Sequence, residues 1–514
     1  MRLQFNPILI PHLPKLAWCV EITRNAHIAR VIHGPWVEAG EFSFVEGAWS
    51  GSFQDASFVD ATTFTGSGAV ITSKGFVFSA STHTLQPLYL IRLNNKVLIS
   101  NSLVFLLVRA GDEPDPCYRY YVADLMSIMF GLKKYTREIP TAHHHKIQLF
   151  YHCNLLIRPD LTLLEYLKGT ANPFMAFSDY YDFIRSEVSK IAQNAQESAR
   201  IIQYSPLATI SSGYDSPACA VLAASVGCRQ AITFRKPEVD THELSDSGRE
   251  IGEMLGLTTA EFDPTAYLMR DDLPELEFLA TGLSGEDIIF CNVEEVLPRR
   301  LLFTGFHGDK VWAKFNDKVG SDIVRGDLSG ASMLEFRLRL GFIHLPIPFI
   351  GCLRHEDIHK ISNCPEMDRW SILGTEYNRP IPRRIIEEAG IPRTFFGQTK
   401  KVVARPTHSA SRFDPPLDFA LSSTSLREFQ RWSANIALFS GWGDRVKHII
   451  MYRLYRLNKK IVFSHTVRRL VGALRLKLPQ EVVIAQKYAK RRTQHTLLFH
   501  WGFERVKERY LSVI

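Results

Sequence analysis

Residues 207–227 constrain this chain more than any other stretch: Leu207-Ala-Thr-Ile-Ser-Ser-Gly-Tyr-Asp-Ser-Pro-Ala-Cys-Ala-Val-Leu-Ala-Ala-Ser-Val-Gly227. A short apolar run enters a small polar turn, and the turn opens directly into an alanine-rich helix. The first backbone N–H groups of such a helix have no partner within it and face the turn, which makes the junction an anion site. Ser216 reads as the N-cap, Pro217 as the first helical residue, where its missing N–H costs nothing, and Gly227 as the stop. Ser211, Ser212 and Gly213 are small enough to let the backbone approach an anion closely, and Asp215 sets a carboxylate among the donors. A carboxylate beside bound phosphates calls for a bridging Mg²⁺. The turn is not a Walker loop, because no Gly-Lys-Ser/Thr closes it.

Three further stretches extend this reading. Leu302-Phe-Thr304-Gly305-Phe-His307-Gly308-Asp309-Lys310-Val-Trp312 again runs from an apolar strand into glycines and a carboxylate, Asp309. Residues 378–401 combine a helical segment, a break at Gly390 and Pro392, and two lysines, Lys400 and Lys401. Residues 241–256 put Leu244, Ile251 and Leu255 on one helical face, which Gly256 ends. Taken together, residues 170–410 resemble the asparagine-synthetase-like ATP pyrophosphatases. Ser211, Gly213, Asp215 and Ser216 match their Ser-Gly-Gly-x-Asp-Ser loop, with Ser212 in place of the first glycine. The segment from Thr304 matches their Ser/Thr-Gly-x-Gly-x-Asp-Glu motif, with His307 replacing a glycine and Lys310 the glutamate.

The resemblance implies an α/β fold, with an adenylating domain over 170–410 built on a doubly wound parallel sheet with right-handed crossovers. It implies ATP, its pyrophosphate held by Ser211, Ser212, Gly213, Asp215 and Ser216 with Gly305 and Lys310, and its adenine met by the backbone at Thr233 and Phe234. Asp215 and Asp309 would hold Mg²⁺. Lys400 aligns with the family's catalytic lysine and acts with Asp309, Lys401 being the alternative, whereas Arg379, Arg383, Arg384 and Arg393 read mostly as surface or structural residues. The implied reaction is ATP-dependent amide formation: a carboxylate, on a small molecule or a peptide, is activated as an acyl-adenylate with release of pyrophosphate and is then captured by an amine. The amide could join two molecules, or close a ring as in β-lactam synthetase and the lasso-peptide cyclases. A catalytically weak nucleotide-binding scaffold is the reading of another class.

Residues 1–165 form short alternating runs, such as Gly75-Phe-Val-Phe-Ser79 and Leu88-Tyr-Leu-Ile-Arg92, separated by turn residues, so this region is β-rich. By position it resembles the glutamine-amidotransferase domain that precedes the synthetase. That domain's nucleophile is a cysteine directly after the initiator methionine; here position 2 is Arg2, so a degenerate domain without glutamine hydrolysis is expected. Cys19, within Ala-Trp-Cys-Val-Glu, reads as a buried strand residue. His143, His144 and His145 alternate in direction on an extended chain and do not converge on one ion, so they read as a surface turn.

The eight cysteines form no C-x-x-C pair, which argues against a zinc site or a disulfide framework. No run of eighteen apolar residues occurs and no signal-like core forms near the start, so a cytoplasmic location is expected. Charge is uneven: from Arg427 onward there are 19 Lys and Arg against 5 Asp and Glu, a surplus of 14 in a chain of net charge +8, which leaves −6 on the rest. Residues 411–514 therefore read as a basic helical extension. Its amphipathic stretches at 449–457 and 465–478 would suit an anionic membrane surface or an acidic partner, or else pack their leucines inward. No base-reading motif accompanies the charge, and no nucleic acid is expected.

Overall fold

A computed structural model of the chain describes residues 3–118, 120–235, 246–283, 285–316, 318–372, 377–397, 420–434, 436 and 493–513. The chain is mixed α/β. Its β-rich N-terminal region forms two sheets. One runs in the spatial order Gln4–Leu9, Ile28–His33, Trp18–Thr23, Lys96–Ser100, Leu88–Arg92, Lys146–Phe150 and Glu138–Pro140; the other runs Leu163–Leu167, Cys153–Ile157, Gly75–Ser79, Phe64–Thr72, Ser43–Trp49 and Glu38–Ala39. Neighbours are antiparallel except for the first two strands of the first sheet.

The two-residue period of a strand explains how these sheets pack. Trp18, Val20 and Ile22 enter one core with Phe44, Phe76, Phe78 and Leu155 of the facing sheet. Phe44 lies edge-on to both Trp18 and Phe5, with centroids 4.9 and 5.1 Å apart. Cys19, on the opposite face of its strand, enters a second core with Leu103–Ala110 helix residues and with Leu334 and Leu338. It is buried as expected, and burial pushes its thiol up to about 12.

The remaining sheet is wholly parallel, in the order Thr258–Phe262, Gln230–Phe234, Ser205–Thr209, Arg300–Thr304, Ile343–Pro346. Helices Asp215–Ser225 and Arg249–Met254 connect the first three strands, and the chain then crosses to the other side of Ser205–Thr209 for the last two. The order therefore reverses between Ser205–Thr209 and Arg300–Thr304. In open parallel sheets the crevice outside the carboxyl ends of the strands at such a reversal receives ligands. The two loops that leave these strands are the serine-rich turn at 210–214 and the Gly305 loop.

Two local expectations need correction. The helix after the turn begins at Asp215, flanked by Tyr214 (φ −100°, ψ −48°), so Ser216 and Pro217 sit inside its first turn instead of capping it. Proline is tolerated there because the first N–H groups of a helix lack intrahelical acceptors. Gly227 does adopt the left-handed conformation of a stop, at φ +86°. In the 241–256 stretch the helix spans only Arg249–Met254; Gly256 follows at φ +69°, and Leu244 lies outside the described residues.

The N-terminal sheets and the parallel sheet share buried polar contacts. Arg337 grips Glu46 with two bonds of 2.7 and 3.0 Å, and Glu46 also accepts from Ser67 at 2.6 Å. Thr65 donates to the carbonyl of His344 and meets His83 Nε2 at 3.0 Å. Of the basic extension, helices Ser423–Ser433 and Thr493–Lys507 are described; Phe429 meets Trp501 (5.6 Å between centroids), Leu498, Phe499 and Phe503 are buried, and Arg505 pairs with Glu428. This part of the extension packs its apolar side inward. The stretches 449–457 and 465–478 lie outside the described residues. Among the described residues no helix is long and apolar enough to cross a membrane.

Candidate functional site

Glycine brings the two loops together. A methyl group on Gly305 would lie 2.6 Å from the backbone of Asp215 and Ser216, and one on Gly308 would lie 2.6 Å from Asp215 Cγ. Only residues without a Cβ let the second loop lie against the first helical residue of the other. Asp309, in the short helix Gly308–Val311, and Asp215 both line one cavity of about 310 Å³.

Of the residues expected from sequence, Ser211, Gly213, Asp215, Ser216, Phe234, Gly305 and Asp309 line this cavity. Ser211 and Ser216 bond to each other at 2.7 Å, and Ser211 accepts from the Gly213 amide at 3.2 Å. Ser212, Thr233 and Lys310 do not line it. The Ser212 hydroxyl donates to Asp246 at 2.9 Å and ties the turn to the neighbouring loop. Thr233 is buried and accepts from the Gly248 amide at 3.0 Å. The stem of Lys310 packs against Gly326. Lys400 and Lys401 lie outside the described residues.

The aromatic side chains gather on one wall. Phe290 is edge-on to Phe234 (5.5 Å) and to Phe306 (6.2 Å), and Ile232 and Ile289 join them at the cavity surface. The cavity thus pairs an apolar wall with the polar serine-rich turn.

Of the four arginines read mostly as surface or structural, Arg379 is the one at the cavity. It is buried at the cavity and pairs with Asp215, and Asp309 also attracts it. Burial works against its charge, but these carboxylates more than offset that and hold its pKa above the ordinary value. Arg383 has a structural role: it is fully buried and donates to the Tyr214 hydroxyl. Arg384 and Arg393 do behave structurally, bonding to Glu388 (2.8 Å) and Glu387 (2.7 Å).

Other wall residues escaped the sequence reading. Glu286 accepts from the Leu328 amide (3.1 Å) and Asp327 from the Ser329 amide (3.1 Å). Asp287 accepts from the Gly330 amide and from both the amide and hydroxyl of Ser332 at 2.7–3.0 Å; burial raises its pKa to about 6. His307 stacks on Phe349 (4.6 Å), and burial, followed by Arg325, His355 and Lys310, pushes it well below the usual histidine range. The acidic Glu286-Asp287 pair directly after Gly285 was the available signal for this wall.

Among the described residues no three His, Cys, Asp or Glu side chains are placed to hold a metal by themselves. Asp215 and Asp309 fit Mg²⁺ in the way phosphate sites use it, with one or two carboxylates completed by phosphate oxygens and water. Arg379 bonds Asp215 through Oδ2. No protein-family model matches this chain, and no curated protein matches it.

Proposed function

We propose that the chain is an ATP-dependent amide-forming ligase of the asparagine-synthetase-like kind. The observation that carries this reading is that Asp215 and Asp309 line one cavity with the serine-rich turn, the two loops abutting at Gly305 and Gly308, at the point where the parallel strand order reverses. The phosphates lie on the turn and the helix start, and the nucleobase lies against Phe234, Phe290 and Phe306. Bound Mg²⁺ would neutralise charge on the departing pyrophosphate. Arg379, which lines the same cavity, supplies a cation toward the phosphates. The substrate carboxylate attacks the α-phosphorus and expels pyrophosphate; an amine then attacks the acyl carbon, loses a proton and expels AMP. Lys400 is assigned to the second step by the resemblance alone. The N-terminal region serves as a packed support, and the buried Cys19 thiol is no nucleophile.

Asp215→Ala and Asp309→Ala should each abolish carboxylate-dependent ATP–pyrophosphate exchange with circular dichroism near native; Asp309→Ala should keep a near-native melting temperature, whereas Asp215→Ala should melt earlier because it leaves the buried Arg379 without its carboxylate. Native-rate exchange in both variants would remove the site. The Asp215–Arg379 pair favours one second reading, a nucleotide-binding scaffold without turnover. That reading predicts ATP binding by calorimetry with no exchange for any carboxylate.

A further inference from the structure

The turn between antiparallel strands Glu138–Pro140 and Lys146–Phe150 carries His143, His144 and His145. It lies at the surface, as the sequence implies, but it is tight: the Thr141 amide donates to the His145 carbonyl at 3.0 Å, and His144 takes a left-handed φ of +63°. Side chains two positions apart on an extended chain share a side. His143 and His145 accordingly both meet Asp112, two residues past the end of helix Leu103–Ala110. The Nδ1 atom of His145 lies 2.8 Å from one Asp112 oxygen, and that of His143 lies 3.6 Å from the other. His144 has no such contact and stands exposed at the tip.

The Asp112 side chain is fully buried and accepts from the Thr141 hydroxyl at 2.6 Å and from the Glu113 and His143 amides at 2.8 and 3.2 Å. Those bonds already fix the turn, so the imidazole contacts add ring orientation and not backbone support. Burial alone would raise the Asp112 carboxyl, but these bonds and the one to His145 more than offset it and hold the group below its ordinary value. An ionised carboxylate only accepts, so a neutral His145 carries its proton on Nδ1 and its lone pair on Nε2. The side chains of His143 and His145 keep 63% and 36% of their surface in solvent, open to an ion. A carboxylate behind an imidazole fixes the ring of a metal-binding histidine and raises its basicity. Imidazole nitrogen suits zinc, copper and nickel, whereas Mg²⁺ and Ca²⁺ take oxygen. Among the described residues no third His, Cys, Asp or Glu completes the set, so the ion keeps water in its other positions. We propose that His143 and His145 form a two-imidazole site for Zn²⁺ or a neighbouring late first-row transition ion, with Asp112 as its positioning residue. The site is separate from the nucleotide cavity and stands without the ligase reading.

Calorimetric titration of the full chain with Zn²⁺ tests this, in excess Mg²⁺ so that sites built from oxygen ligands are occupied. Asp112→Asn should weaken Zn²⁺ binding about 10–100-fold, the cost of losing a partner behind the ligand, and His143→Ala or His145→Ala at least as much. His144→Ala should leave the affinity unchanged. Loaded with Cu²⁺ instead, the wild type should show two imidazole nitrogens by electron paramagnetic resonance, and each of the His143 and His145 variants one. If Asp112→Asn melts early, those two variants decide, because they leave the amide bonds to Asp112 in place. Native Zn²⁺ affinity in both of them overturns the site. So does an equal loss in His144→Ala, which would mark an unselective histidine surface. Native affinity in a folded Asp112→Asn overturns the role given to the carboxylate.

Discussion

At the scale of single residues, two glycines decide whether the site exists. Gly305 meets backbone atoms that belong to the other loop, so a side chain there cannot be accommodated by rotating a flexible neighbour. Gly305→Ala should destabilise the protein by about 1–3 kcal/mol, as overpacking does, and should abolish ATP binding by parting the two loops. Gly390→Ala is the control: its φ of +89° makes alanine strained by about 1–2 kcal/mol, yet nothing stands within 4 Å of the added methyl, so ATP binding should be native. Urea unfolding and calorimetric titration of both variants check this; native ATP affinity in Gly305→Ala would mean that the loops do not need to touch. Asp215, Asp309 and Gly305 were legible in the sequence because small residues and carboxylates just after an apolar run have few other uses. Arg379 was not, because an arginine before a helix reads as solvated, and only the fold brings it 164 positions back to Asp215.

At the scale of elements, the serine-rich turn is held from behind. Tyr214, which precedes the first helical residue, is buried, and Arg383 of helix Pro380–Glu388 donates to its hydroxyl while the Tyr214 ring lies 5.2 Å from the guanidinium carbon. Phe396 flanks the same ring edge-on at 6.1 Å, and the Gly397 amide donates to the Ser212 carbonyl at 2.9 Å. The segment after the 380–388 helix thus ties back onto the turn. Arg383→Ala leaves a cavity and strips a buried hydroxyl of its donor, so it should cost about 2–5 kcal/mol and weaken nucleotide binding as well. Arg383→Lys should not restore either property, since an ammonium cannot both stack on the ring and reach the hydroxyl. A lysine variant with native melting temperature and affinity would show that charge alone matters there. Strands Ser205–Thr209 and Arg300–Thr304 were legible as apolar runs because they lie inside the sheet and are mostly buried, whereas edge strand Thr258–Phe262 is partly exposed and shows no such run. Helix starts were less so: Pro217 is compatible with more than one position in a first turn, and the chain places the boundary at Tyr214 through tertiary packing.

At the scale of the whole molecule, the two β-systems and the parallel sheet close over buried imidazoles. His83, His152 and His344 are each less than 4% exposed, and His344 Nε2 meets Thr304 Oγ1 at 2.8 Å, directly beneath the strand end that leads to Gly305. The alternating pattern of the N-terminal strands revealed this region as β-rich, but no pattern in the sequence announces which histidines will be enclosed between two sheets. Burial holds all three below the usual value, His152 down to about 4 and His344 to about 3. A histidine whose folded value is depressed binds fewer protons in the folded than in the unfolded state between the two values. Its stabilising contribution is therefore complete above about 6.5 and is lost as the pH falls toward the folded value. Glu335 and Asp287 act in the opposite sense, because burial raises them to about 7 and about 6, and their contribution is lost as the pH rises through that range. Comparing the wild type with His344→Gln cancels the carboxyl contributions and isolates one imidazole. Each pH unit within the window changes the stability difference by about 1.4 kcal/mol at most, so the wild type should lose about 2 kcal/mol relative to the variant between pH 6.5 and pH 4.5, and nothing between pH 8 and pH 7. Urea midpoints at these pH values measure the difference. A constant gap across the range would mean that His344 takes up its proton in the folded state as readily as in water, and the enclosure of the strand end that carries the Gly305 loop would then be looser than its burial indicates.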